Sequence, residues 1–528
     1  MKSKLKEIFT VDPYQEMNSD SPGEVCNLLK GEWIQGTGFR EDIPDPLNGE
    51  PFLKVPDTTE YSEFINSLDS CPKSGMHNPL KNVERYLMLG EVCAKSAELL
   101  REDEIEKYFC KLIQRVMPKS DSQCLGEVTV TRVFLENFSG DNVRFLARSF
   151  SNPGNHLGQE SSGYRWPFGS SCIIAPFNFP LEIPVLQVMG ALFMGNRPLV
   201  KVDSKVSVVF EQFLRLLIHC GLPPSDLDFI NCRGQVMGEL IKESKDKIRL
   251  LQFTGSKEVA EKLAVVLRGK IKIEDAGFDW KIIGPDYDPK WSEHVAWQCD
   301  EDAYNASGQK CSAQSLLFIH ENWEKDLIPK LRKLALKRKL EDLSIGPVLT
   351  WNNTQFLDHV NSLLKIPGAR CLFGGKELAN HSIPKVYGSM QPTAVEIPIK
   401  ELLGKSFHNV TKEIFGPFQV IVVYEDSDLP IVKESLEQIS QNLTAAIVSN
   451  DVVFQQDLLS NTINGTTYIG MKARTTGAPQ NHWFGPSGDP RSAGIGTPEA
   501  IITTWSGHRE IIKDVGPLDQ KWVVPDIS

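Results

Sequence analysis

Cys172-Ile173-Ile174-Ala175-Pro176-Phe177-Asn178-Phe179-Pro180 opens the segment whose reading decides the fold. Its apolar start predicts a buried strand, and the proline-bracketed turn stops it. Periodicity then alternates. A helix is expected over Leu181 to Met194 and a strand at Leu199-Val200-Lys201-Val202. Val206 to His219 follows as a helix closed by Gly221. Asp228-Phe229-Ile230 and Arg249 to Phe253 read as strands, Lys257 to Leu267 as a helix and Ile271-Lys272-Ile273 as a strand. Such alternation implies an α/β fold with a parallel, Rossmann-like sheet. Ligands bind these sheets at the carboxyl ends of the strands. Asn178, Lys201, Thr254-Gly255-Ser256 and Glu274 therefore share one location. The usual G-x-G-x-x-G loop is missing, so a dinucleotide needs another cradle.

A second alternating block runs from Lys281 to about Ile469, with a helix expected over Glu324 to Arg338 and a strand over Phe418 to Tyr424. It carries Asn305-Ala306-Ser307-Gly308-Gln309-Lys310-Cys311-Ser312, a small polar turn followed by the apolar run Leu316 to Ile319. Gly308 permits backbone angles closed to other residues, so the turn can present Cys311 at the mouth of a cleft. A cysteine held this way is a candidate nucleophile. Lys310 beside it is expected to favour the thiolate.

Residues 1 to about 145 begin irregularly and become helical over Val83 to Leu100, Glu102 to Val116 and Arg132 to Phe150, reading as packing helices without chemistry. Residues 146–169 have turn-and-ribbon composition. Residues 482–497 are rich in Gly and Pro and suit a loop that closes over a ligand. The 528 residues carry a formal charge of -11, which argues against nucleic acid or an acidic membrane as partner. No apolar run approaches the ~18 residues of a membrane span. Eleven singly spread cysteines point to a reducing compartment rather than a disulfide framework or metal site. Met1 to Asp20 lacks the character of a secretory signal and is too acidic for a good transit peptide, so the expectation is a cytoplasmic protein or one whose leader has been removed.

Six pieces fall in order: Ala175 to Pro180, Lys201, Phe253 to Ser256, Glu274-Asp275-Ala276-Gly277, Ser307 to Cys311, and Lys412-Glu413-Ile414-Phe415-Gly416-Pro417. Together they resemble the aldehyde dehydrogenase superfamily from about residue 145 to 505. The resemblance implies Cys311 as nucleophile, Asn178 as oxyanion donor and Glu274 as general base. It also implies NAD held by Lys201, Thr254, Gly255, Ser256, Glu413 and Phe415. Ser204 stands where many NAD-preferring members carry a glutamate, so NAD is expected with NADP as the alternative. Asp275 and Ala276 depart from the family's E-L-G-G, which leaves Asp275 as a rival base.

Within the family, Phe177-Asn178-Phe179, Ser312 and Glu274 to Gly277 are most similar to the plant-type delta-1-pyrroline-5-carboxylate dehydrogenases, as is the C-terminal stretch through Lys521-Trp522. That branch implies oxidation of glutamate γ-semialdehyde to glutamate. Ser312 and the Gly494-Ile495 amides, or Gly496-Thr497 in their place, would hold the substrate carboxylate, with Phe179 against its stem. The alternatives are a dehydrogenase for another aldehyde, such as succinic semialdehyde, and a non-catalytic member. The implied organisation is an NAD-binding domain (1–145 and 170–277), a catalytic domain (278–481), and an oligomerisation arm with anchor loop (146–169 and 482–528). A homo-oligomer in the mitochondrial matrix, acting on a small aldehyde and needing no metal, completes the expectation.

Overall fold

The computed structural model describes residues 3–528 except 37, 149, 276, 441, 478–482 and 516–522. Ser149, Ala276, His482, Lys521 and Trp522, quoted above, lie outside the described residues. Two seven-stranded sheets form the body. In the first, Ile271–Glu274, Leu250–Thr254, Ser170–Ala175, Arg197–Val202 and Asp228–Phe229 lie side by side and parallel. The chain winds outward in one direction from Ser170–Ala175, then returns to its other side at Leu250–Thr254. This reversal opens a ligand crevice at the strands' carboxyl ends. Asn27–Leu29 and Glu32–Ile34 extend the far edge antiparallel, so the irregular opening of the chain contributes to this sheet.

In the second sheet Thr393–Glu396, Phe418–Tyr424, Gln314–His320, Asp279–Ile283, Thr444–Val448 and Thr466–Ile469 run parallel. Arg370–Phe373 lies antiparallel at one edge. Both faces of these strands are covered, which is why Leu316 to Ile319 and Val420 to Val422 read as continuous apolar runs. The ribbon expected near 146–169 is an antiparallel hairpin, Phe150–Pro153 with Gln159–Pro167, joined along its length by the nine-residue strand Ser506–Asp514. Buried Asn196 ties the root of this ribbon to the first sheet. Its Oδ1 accepts from the amides of Phe168 (2.8 Å) and Gly169 (3.0 Å), and its Nδ2 donates to the Trp505 carbonyl (2.8 Å).

Several helix boundaries differ from expectation. The helix expected over Arg132 to Phe150 instead spans Asp121–Asn137, followed by a 3-10 segment, Gly140–Ala147, and the strand from Phe150. Gly140 is left-handed (φ 59°), and Ser139 Oγ turns back to the Glu136 carbonyl at 2.7 Å, which closes the helix. The Glu324 to Arg338 helix spans Glu321–Ala335, because His320 caps it by accepting from the Asn322 amide. Gly234–Glu243 is a helix that the sequence reading passed over.

The turn before Cys311 is more constrained than a lone glycine suggests. Ala306 (φ 54°), Ser307 (φ 57°) and Gly308 (φ 69°) are all left-handed. Such angles cost an L-residue roughly 1–2 kcal/mol each, so neighbours must hold them. Ser307 Oγ donates to the Gly346 carbonyl (3.2 Å) and accepts the Gly346 amide (2.7 Å). Gln309 donates to the Pro347 carbonyl (3.0 Å) and accepts from the Leu349 amide (2.7 Å). A Cβ at Gly308 would run into the Gly416 carbonyl, so only glycine lets these two segments meet.

Candidate active site

Cys311 sits half-buried between the two sheets, at one end of a cleft of about 380 Å³. Phe179, Ser312, Tyr468, Gly477 and Ile495 line the same cleft. Glu274 closes the strand Ile271–Glu274 and is 3% exposed; neither carboxylate oxygen finds a hydrogen-bond partner among the described residues. Burial pushes its carboxyl up to about 7, the Cys311 thiol beside it draws it down, and Asp275 adds a smaller upward push. Asp275 is itself raised by burial and held down by Lys257 and Arg491, and it is not among the carboxyls that act on the Cys311 thiol. Glu274 is the acid beside the sulfur.

The expected thiolate is not what this environment favours. Burial and the carboxyls of Glu274, Asp279 and Glu413 push the Cys311 thiol well above its ordinary range. Lys310 gives no offset, because its ammonium turns away to the Glu301 carbonyl (3.4 Å) and the Asp302 carboxylate. Burial lowers Lys310 itself to about 8. Adjacency in sequence did not bring the ammonium to the thiol. The resting cysteine is a neutral thiol with a carboxylate base at hand.

Asn178 is buried (2% exposed) and its Oδ1 has no partner among the described residues. Its loop is fixed from a region read as mere packing. Lys119 Nζ donates to the Asn178 carbonyl at 3.3 Å and pairs with Glu127 at 2.6 Å. The other Glu127 oxygen accepts the amides of Leu181 (2.8 Å) and Glu182 (3.2 Å). The Lys119 ammonium also lies 4.6 Å from the centre of the Phe179 ring. Residues 1–145 therefore do contribute to the site. The sequence signal was a lysine and a glutamate eight residues apart that both proved almost wholly buried. Charges rarely go inside unless paired.

For a dinucleotide, the residues fit. Lys201 is 8% exposed at its strand's end and gives one contact to the Val202 carbonyl (3.3 Å). Thr254 accepts from Gln187 (2.7 Å), so its hydroxyl is already engaged, while Gly255 and Ser256 lead into the helix Lys257–Val266. Amides at such a helix start suit a pyrophosphate. Glu413 lies against Gly277, where a Cβ would collide with its carboxylate. It accepts no hydrogen bond among the described residues, and burial, then Asp275, lifts it to about 7. An unpaired buried acceptor suits ribose hydroxyls. Phe415 (φ 51°) meets Phe177 edge-on at 5.9 Å. Ser204 forms the turn before the helix Ser207–His219, its carbonyl accepting from Ser207 Oγ (3.3 Å).

Of the two amides expected to hold the substrate carboxylate, one is already engaged. The Ile495 amide already donates to the Phe484 carbonyl at 2.9 Å, and Gly494 packs under the Trp483 ring. Thr476 and Gly477, not singled out from the sequence, line the cleft beside Ser312. Thr475 Oγ1 donates to the Ser312 carbonyl (2.7 Å), and its amide reaches Asp302 (2.9 Å). Asp302 is fully buried between Lys281 (2.6 Å) and Arg474 (2.6 Å). Burial alone would raise its carboxyl, but these two cations hold it below its usual range. This network fixes the segment to the catalytic turn. The Thr-Thr-Gly turn after the strand Thr466–Ile469 was the available signal.

A thiol nucleophile, an adjacent buried base, an amide side chain and a dinucleotide cradle suit oxidation of an aldehyde carbonyl. The sequence pattern of the aldehyde dehydrogenase family matches residues 42–490, and the chain belongs to that family. It is 58% identical over 98% of its length, and 93% of the relative's, to a mitochondrial delta-1-pyrroline-5-carboxylate dehydrogenase of Arabidopsis thaliana. It is 59% identical, with the same coverage, to a probable aldehyde dehydrogenase of Linum usitatissimum. In fold it is similar to aldehyde dehydrogenase 21 of Physcomitrella patens, solved with the reaction product succinate. The TM-score is 0.78 at 18% identity, over 94% of this chain and 100% of that one.

Lys119→Met would leave Glu127 buried and unpaired, an expected loss of about 3–5 kcal/mol in denaturant unfolding. Adding Glu127→Met should restore most of that stability. Turnover should stay low in the double variant, because the Asn178 loop has lost its clamp. Recovery of both together would assign the pair to folding alone.

Proposed function

We propose that this protein oxidises L-glutamate γ-semialdehyde, which forms from delta-1-pyrroline-5-carboxylate, to L-glutamate, with NAD as hydride acceptor. The observation that carries this reading is the 58% identity, sustained over nearly the whole chain, to the Arabidopsis enzyme of that name. Glu274 takes the Cys311 proton, and the sulfur bonds to the aldehyde carbon. The carbonyl oxygen becomes an oxyanion facing the Asn178 amide, a donor worth about 3 kcal/mol in such sites. NAD, held by Lys201, the Thr254-Gly255-Ser256 turn and Glu413, supplies a two-electron acceptor for the hydride. Glu274, its proton passed to solvent, then draws a proton from water as that water attacks the thioester. Acid leaves and the thiol is restored. Ser312, Thr476 and Gly477 hold the substrate carboxylate, while Phe179 flanks the stem.

NADH formation with glutamate γ-semialdehyde, succinic semialdehyde and propanal, each with NAD and NADP, tests the reading. Strong preference for the first aldehyde with NAD is expected; equal rates would discard the substrate assignment.

Glu274 titrates near 7 and acts as a base only when ionised, so thioester hydrolysis should speed up as pH rises through about 7. Glu274→Gln should leave one burst of NADH followed by slow turnover without that pH dependence. An unchanged steady state would move the base elsewhere.

The mitochondrial relative supports a matrix location. The edge strand Ser506–Asp514 bears exposed Ile512, and the hairpin beside it bears exposed Phe150, which suits a homo-oligomeric arm. Truncation after Trp505 should reduce the mass measured by light scattering, and an unaltered mass would remove this role.

A further inference from the structure

The cleft contains a carboxylate that the reaction described above does not use. Glu182 begins the helix Glu182–Phe193 and lines the same cleft as Cys311 and Ser312. Its side chain is half-buried and makes no hydrogen bond or ion pair among the described residues. The charged groups around it are committed elsewhere. Glu127 spends one oxygen on Lys119 and the other on the Leu181 and Glu182 amides. Lys119 is held by Glu127 and the Asn178 carbonyl. Glu274 faces the thiol. The ionised form of a partly desolvated acid without a partner is costly, and a cationic ligand group entering this cleft would offset that cost.

We propose that Glu182 receives the α-ammonium group of the substrate and so selects an amino-aldehyde over the same carbon chain without nitrogen. This rests on the substrate class proposed above. The zwitterionic end of the substrate then divides, its carboxylate to the Ser312 side and its ammonium to Glu182. Burial, then Glu127, lifts the Glu182 carboxyl to about 8, with Lys119 drawing it down and Glu274 adding a little. In the free enzyme at neutral pH it is therefore mostly protonated. An ammonium beside it favours the ionised form, so binding releases a proton to solvent. Affinity for the amino-aldehyde should rise with pH toward about 8.

Glu182→Gln keeps the shape and removes the charge. The ratio of kcat/KM for glutamate γ-semialdehyde to that for 5-oxopentanoate should fall ~100-fold, chiefly through KM, as expected when one partner of a charged pair is lost. Glu182→Asp should recover part of the ratio. In weakly buffered solution at pH 7, the wild-type enzyme should release protons on binding glutamate but none on binding glutarate. An unchanged ratio, or equal proton release with both acids, would overturn the proposal. So would equal losses on both aldehydes, which would place Glu182 in the proton path or the fold. A wild-type enzyme with no preference for the amino-aldehyde would instead overturn the parent reading, before any variant is made.

Discussion

A single buried ion pair holds this active site in register. Lys119 and Glu127 come from the largely helical first part of the chain, yet among the described residues their charged groups hydrogen-bond only to each other and to the backbone between Asn178 and Glu182. That stretch carries Asn178, the aromatic Phe179 and, at the first position of the helix, Glu182. Two charges removed from water are stable only if their partners are well placed. The pair therefore ties the position of the loop to the packing of the helix Asp121–Asn137, and slack in either would leave a bare charge inside.

Around the sulfur the electrostatics run against ionisation. Glu274, Asp279 and Glu413 all raise the thiol, and Lys310 points elsewhere. The resting state is a protonated cysteine next to a carboxyl that titrates near 7. Such a thiol is a poor nucleophile and resists adventitious oxidation. In the proposed mechanism Glu274 therefore has two tasks, relieving the sulfur of its proton and later activating water. Both follow from its position at the end of a buried strand with no competing hydrogen-bond partner among the described residues.

The helices and strands from Ser170 to Glu274 were legible because strands buried on both faces are apolar runs and the intervening helices have their own period. Cys311, Glu274 and Asn178 were legible as candidates because they lie in short ordered segments resembling a known family. What escaped was non-local. Nothing in the sequence near Lys119 says that it will lie under Asn178. Asp302 does not announce that it will clamp Arg474 and Thr475 to the catalytic turn. The engagement of the Ile495 amide was hidden for a related reason, since its partner, the Phe484 carbonyl, is set by the folded loop.

By itself, the sequence determined the two alternating α/β blocks, the residues proposed as nucleophile, base and oxyanion donor, and the ribbon that Ser506–Asp514 completes. Periodicity and residue type are local properties, and these features depend on little else. Tertiary structure alone decided the protonation state of Cys311, the partner of each buried charge, and which backbone amides remain for a ligand. Those depend on distance and dielectric between segments far apart in the chain, and such quantities exist only once the chain has folded.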